Sequence, residues 1–182
     1  MKPIIIVPAR LASTRLPGKP LADIHGKPMI VHVMDRAAEA NCGPVLCAAA
    51  EAEIARVVAA AGYPVQLTDP DHPSGSDRIW EALSRDDPVG AHDVIVNLQG
   101  DLPTLDPALV KSVVQPLADP DVDIATLVCE ITEQDERSNP NVVKCVTAFA
   151  AGHNTARALY FTRATAPSGE GPLWHHIGIY AY

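Results

Sequence analysis

The chain has 182 residues, 47% of them hydrophobic and 20% charged, with a formal net charge of -8. That length can bury a sizeable core, and the balance is that of an ordinary soluble globular domain. No apolar run approaches the ~20 residues of a membrane span, and arginine interrupts MKPIIIVPARL too early for a signal peptide, so the expectation is a cytoplasmic protein with no membrane partner.

Charge is uneven along the chain. Residues 1–36 hold six Lys/Arg against two Asp/Glu, and the remainder eight against twenty. A compact anion near the N-terminus fits this better than nucleic acid, which asks for a broad basic face. Aromatic residues are only 4%, too few for a platform that stacks single-stranded bases.

The first element is Ile4–Ala9, a β-branched run typical of a strand buried on both faces. The loop after it crowds Arg10, Arg15 and Lys19 around Pro17-Gly18. Pro28 then opens a helix in which Ile30, Val33, Met34, Ala37 and Ala38 form one face, and Gly43 is expected to end it. Val45–Ala49 reads as a strand, Glu51–Ala61 as a helix stopped by Gly62, and Val65–Thr68 as a short strand. Loop chemistry follows in DPDHPSGS, then a short helix around Ser76–Ser84 and a buried strand at Val94–Leu98 that runs into Gln99-Gly-Asp101. Asp106 caps and Pro107 opens a further helix, which Pro116 ends or kinks.

Strand and helix alternate about four times, which predicts an α/β protein with a mostly parallel sheet flanked by helices. From residue 122 the pattern changes: residues 124–131, 142–147, 159–162 and 177–182 are strand-like, with little helix between them. They read as antiparallel additions or a β-rich part of one domain spanning 1–182. Cys42, Cys47, Cys129 and Cys145 contain no C-x-x-C pair, which disfavours a zinc or thiol-exchange site. Cys47, Cys129 and Cys145 are expected to be buried small hydrophobes. His25, His32, His92 and His153 are expected at the surface, whereas His175 and His176 abut an apolar strand.

In open parallel sheets ligands bind beyond the carboxyl ends of the strands, where the loops 10–19, 72–78 and 99–101 should converge. Two cations about 6 Å apart repel by roughly 3 kcal/mol at an effective dielectric near 20, so three gathered in a cleft imply an anion; splayed into water they imply none. Neither G-x-x-x-x-G-K-[ST] nor G-x-G-x-x-G follows the first strand, which leaves side chains to hold any phosphate. Asp101 suits a Mg²⁺ bridging phosphate oxygens, or is a turn aspartate. Ser74-Gly75-Ser76 can read a base edge or sugar, or is a plain turn with Ser76 as a helix cap.

The stretches PARLASTRLPGKPLADIHGKPMIVHV, DHPSGSDR, VNLQGDLP, NPNVVKCV, ALYFTRATAP and HHIGIYAY, in this order, resemble the motifs of the 3-deoxy-manno-octulosonate cytidylyltransferases. The resemblance implies a Rossmann-like nucleotidyltransferase fold, with residues 1–121 binding CTP and 122–182 serving sugar binding and dimerisation, usually in a homodimer. It implies transfer of CMP from CTP to 3-deoxy-D-manno-octulosonate (Kdo), with release of pyrophosphate, for lipopolysaccharide synthesis. Carried over by motif, Arg10, Ser13, Arg15 and Lys19 grip the CTP phosphates and Ser74, Gly75 and Arg78 lie around the cytidine. Asp101 holds Mg²⁺, and Gln99, Arg163, His176 and Tyr180 contact Kdo, with Arg163 or His176 near its carboxylate. Three departures stand out. Leu102 replaces a glutamate, Cys47-Ala-Ala-Ala50 replaces V-A-T-D, and the family continues past HIGIY to a late aspartate that supplies another metal ligand. The alternatives are a synthetase for a sialic-type acid and a CTP-binding protein without catalysis.

Overall fold

A computed structural model describes every residue of the chain except 13–15, so Ser13 and Arg15 lie outside the described residues. Two compact units form, Met1–Ala125 together with Ile179–Tyr182, and Thr126–Gly178.

The first unit opens with β1 (Pro3–Ala9). A two-residue ladder of β2 (Asp23–Ile24) and β3 (Lys27–Pro28) follows; it turns through His25 and Gly26 at positive φ, with Gly26 N–H donating to the Asp23 carboxylate at 3.0 Å. Next come α1 (Met29–Glu39), β4 (Val45–Ala49), α2 (Ala52–Ala60), β5 (Val65–Leu67), α3 (Gly75–Asp86), β6 (Val94–Leu98) and α4 (Ala108–Val114). The strands lie in the order β5-β4-β1-β6, all parallel. This is the alternating pattern the sequence implies.

Helix α1 buries Ile30, Val33, Met34 and Ala37 as its spacing predicts. Its end differs from expectation: the residue with positive φ is Asn41, at 47°, rather than Gly43. Gly43 serves close approach instead. A Cβ there would lie 2.1 Å from the Pro3 carbonyl oxygen, where the chain crosses the start of β1. Helix α3 is longer than the expected Ser76–Ser84 and begins earlier, because Ser74 rather than Ser76 caps it by accepting from Asp77 N–H at 3.2 Å. Its Ile79 and Ala82 pack on Ile4 and Ile6 of β1 and Leu46 and Ala48 of β4. Asp106 accepts from Ala108 N–H at 2.9 Å, and α4 passes into a 3-10 turn at Gln115–Ala118, where Pro116 falls.

The second unit holds β7 (Ala125–Glu130), α5 (Gln134–Ser138), β8 (Lys144–Val146), β9 (Tyr160–Thr162) and the first part of β10 (Trp174–Ala181). β8 pairs antiparallel with both β9 and β10, and β7 also pairs with β10. The last residues of β10 return to the first unit and run antiparallel to β6, with Tyr180 opposite Asn97. All four cysteines are free; Cys47 and Cys145 are buried as expected, but Cys129 is exposed near the end of β7. Among the described residues no helix is long and apolar enough to cross a membrane.

Candidate functional site

The carboxyl ends of β1, β5 and β6 release the three loops on which the sequence concentrates polar chemistry. The first leaves Ala9. Arg10 is exposed, and the loop is fastened by Leu11 N–H donating to Glu51 Oε2 at 3.0 Å and by Gly18 N–H donating to the Leu11 carbonyl at 3.1 Å. Gly18 takes the left-handed conformation, φ 70°, which presets the 3-10 turn at Lys19–Leu21.

Lys19 Nζ donates to Asp101 Oδ2 at 2.7 Å, with both side chains reached by solvent. The basic loop and the turn after β6 therefore meet, as topology predicts. Gly100 permits that approach. A Cβ on it would lie 3.0 Å from the Pro8 carbonyl oxygen and 3.3 Å from Ile30 Cδ1. Among the described residues no three His, Cys, Asp or Glu side chains gather in a metal-binding group. A lone exposed carboxylate of this kind does not make a closed protein cage. It does fit Mg²⁺, which keeps several waters and takes its remaining ligands from phosphate oxygens.

The loop between β5 and α3 is held from beneath by one face of the helix. Arg78 is only 2% exposed. Its Nη1 donates to Thr68 Oγ1 at 2.6 Å and to the Asp69 carbonyl at 2.9 Å, and its Nη2 to the Pro70 carbonyl at 3.2 Å. Burial lowers the Arg78 pKa, Glu51 opposes this, and Arg10 adds to the lowering, so the charge of Arg10 is felt here. One turn on, Glu81 accepts from Asp69 N–H at 2.9 Å and pairs with His72 and Arg85. These contacts, the backbone bond from Asp69 foremost and the one from His72 next, hold the Glu81 carboxyl below its ordinary value. Arg85 Nη1 donates to the Leu67 carbonyl at 2.6 Å. Arg78 is thus turned inward as a clamp, while Ser74 and Gly75 stay exposed at the tip of the loop it holds. Ser74 Oγ also donates to Asp77 Oδ2 at 2.5 Å.

Gln99 is exposed at the end of β6, and Tyr180 is half-buried on β10. Opposite Tyr180 in register, and two positions before Gln99, lies Asn97, 6% exposed, whose Oδ1 is buried with no hydrogen-bond partner among the described residues. Sequence reasoning passed over Asn97, although it is the one polar residue inside VIVNL. In the second unit, Arg163 is exposed and its Nη1 donates to the Pro140 carbonyl at 2.8 Å. His176 is part-buried, its Nε2 lies 3.0 Å from Thr126 Oγ1, and its ring meets Phe161 edge-on at 5.0 Å between centroids. Burial first and His175 second lower the His176 pKa, so the ring is neutral at pH 7.

A parallel sheet that gathers a basic loop, an acidic turn and a serine-glycine loop at its carboxyl ends is a nucleotide-binding α/β architecture, and the family model described as cytidylyltransferase matches residues 4–181. The 3-deoxy-manno-octulosonate cytidylyltransferase of Rhodospirillum centenum is 66% identical over 99% of this chain and 70% of its own length. That of Rhodospirillum rubrum is 64% identical over 99% of this chain and 72% of its own. A solved structure of CMP:2-keto-3-deoxy-manno-octonic acid synthetase complexed with CTP superposes with a TM-score of 0.87 at 37% identity, covering all of this chain and 74% of that one. The chain belongs to the 3-deoxy-manno-octulosonate cytidylyltransferase family.

Proposed function

We propose that the protein transfers CMP from CTP to Kdo and releases pyrophosphate. Relatives at 59–66% identity over nearly the whole chain carry this reading, together with a structural neighbour that holds CTP. In this reading Arg10, Ser13, Arg15 and Lys19 bind the triphosphate, and Ser74 and Gly75 lie against the cytidine on a loop clamped by Arg78. Lys19 exchanges its carboxylate partner for a phosphate, which leaves Asp101 to hold Mg²⁺. When bound, Mg²⁺ neutralises charge that develops on the phosphate oxygens. The family motifs assign Gln99, Tyr180, Arg163 and His176 to Kdo, whose 2-hydroxyl attacks the α-phosphorus as pyrophosphate departs. Positioning and charge neutralisation then supply the rate, with no residue here assigned as general base.

The same reading places the reaction in the cytoplasm, feeding lipopolysaccharide synthesis, and makes the protein a homodimer. Support for self-association comes from Leu159, Tyr160 and Phe161, which are 67%, 66% and 43% exposed on and beside β9. Apolar side chains on a strand of this kind mark an interaction surface. Sedimentation equilibrium should give twice the chain mass, and a monomer at micromolar concentration would contradict the dimer.

The direct experiment incubates the chain with CTP, Kdo and Mg²⁺ and measures pyrophosphate. Kdo-dependent release that stops with EDTA is expected. Release with sialic acid but not Kdo would identify a different synthetase, and CTP binding without release with either sugar would identify a nucleotide-binding protein without catalysis.

A further inference from the structure

Lys144 heads the fully buried side chains by volume, at 0% exposure in the middle of the second unit. Taking an ammonium out of water costs several kcal/mol unless a counter-charge compensates. Here the hydrogen bond of Nζ goes to a neutral group, the Asn139 carbonyl, at 2.6 Å. Val142 N–H donates to the same oxygen at 3.2 Å, and Asn141 N–H donates to Asn139 Oδ1 at 2.9 Å, so the Asn139-Pro140-Asn141 turn is closed tightly around that carbonyl.

The next carbonyl along the chain, that of Pro140, is the one that holds the Arg163 guanidinium. Between the two oxygens lie φ and ψ of Pro140: the ring fixes φ near -65°, and Asn141 N–H, which shares the peptide plane of the Pro140 carbonyl, is tied back to Asn139 Oδ1. Fixing the turn around the first carbonyl therefore restrains the direction of the second. The backbone beside Arg163 is fixed separately from the lysine side chain: Thr162 pairs with Lys144 in the β8–β9 ladder, and Thr162 Oγ1 accepts from Ala164 N–H at 3.1 Å, which pins the chain on both sides of Arg163. An arginine on an exposed loop ordinarily samples many rotamers; this one is held at backbone and head, while the residue itself stays exposed.

We propose that Lys144 is a positioning residue for the Kdo carboxylate, acting through the Asn139–Pro140 turn to hold Arg163 in the orientation that binds it. The proposal rests on the reading of Arg163 as a carboxylate contact. A lysine kept only for stability would behave differently, because its loss would weaken folding and leave the acid no worse bound than its neutral analogue.

The experiment measures, by calorimetry, binding of Kdo and of its C1 carboxamide to protein saturated with α,β-methylene CTP. Wild type should prefer the acid by about tenfold or more, the value of a charge-assisted hydrogen bond. Lys144→Met should bind Kdo about tenfold more weakly, with the acid-to-amide ratio falling towards one and the affinity for the CTP analogue unchanged. Pro140→Gly, which keeps Lys144 and both carbonyls but frees the turn, should reduce the same ratio and guards against misfolding of the methionine variant. A wild-type ratio preserved in both variants, or in Pro140→Gly alone should Lys144→Met not fold, would overturn the positioning role. A wild type that fails to distinguish acid from amide would overturn the Arg163 reading itself, and the proposal with it.

Discussion

Lys19 and Asp101 satisfy one another across 2.7 Å in the described conformation, yet both remain open to solvent. A pair of this exposure contributes at most about 1 kcal/mol, so a phosphate group can displace the carboxylate from Lys19 and a divalent cation can displace the ammonium from Asp101. Asp101→Asn should therefore lower Mg²⁺-dependent turnover by about two orders of magnitude or more while moving the melting temperature little. A near-wild-type rate would remove Asp101 from the metal role. His176 yields a pH prediction. Its native pKa lies below the ordinary histidine value near 6.5, so the unfolded chain takes up this proton more readily. Stability from this group is thus present above pH 6.5 and declines as pH falls through that value. Melting temperatures from pH 7.5 to 5 should fall less steeply in His176→Gln than in wild type, and identical slopes would contradict the shift. The same residue shows what sequence can and cannot supply: HHIGIYAY marks a strand, but the Thr126 hydroxyl that faces the ring comes from fifty positions away.

Elements whose stability is local were legible in the sequence, and those fixed by tertiary contact were not. The β-branched run of β1 and the 3.6-residue stripe of α1 announce themselves, whereas α5 is five residues with nothing buried, a length at which no apolar period can show. The cap of α3 depended on choosing between two serines two residues apart. Its clamping of the preceding loop by Arg78, Glu81 and Arg85 needed the fold, although their spacing already puts them on one helical face. Gly43 makes the same point with a number attached. Read as a helix stop, it predicts a modest loss on substitution by alanine. Packed against the Pro3 carbonyl at 2.1 Å from any Cβ, it predicts a large one, because strand β1 itself must shift. Gly43→Ala should cost about 2–4 kcal/mol, while Gly62→Ala, at φ 88° with open space around it, should cost nearer 1 kcal/mol. Urea midpoints for the two variants check this, and equal losses would return Gly43 to the role of a helix terminator.

Across the whole molecule, a net charge of -8 disfavours a polyanion such as CTP except where local geometry reverses the field. In the proposed reading the N-terminal loop performs that reversal: Arg10 is exposed at its start, and Lys19, which meets Asp101 at its end, turns to the phosphates. A ligand that binds only the folded chain stabilises it by RT ln(1 + [L]/Kd), about 2.7 kcal/mol at a hundred times Kd. For a chain of this size each kcal/mol raises the melting temperature by about 2–4 °C, so CTP at that excess should raise it by about 5–10 °C. If the triphosphate supplies most of the affinity, cytidine at the same concentration should raise it by less than about 2 °C. Salt offers an independent check, because contacts between exposed cations and phosphates weaken as the Debye length falls from about 10 Å at 0.1 M to about 3 Å at 1 M. The CTP-induced shift should shrink by half or more over that range. The Gly43→Ala loss, which comes from packing, should persist unchanged. A shift equal for CTP and cytidine and indifferent to salt would mean that the base is the main anchor, and that the cations after β1 are a solvated surface rather than a phosphate site.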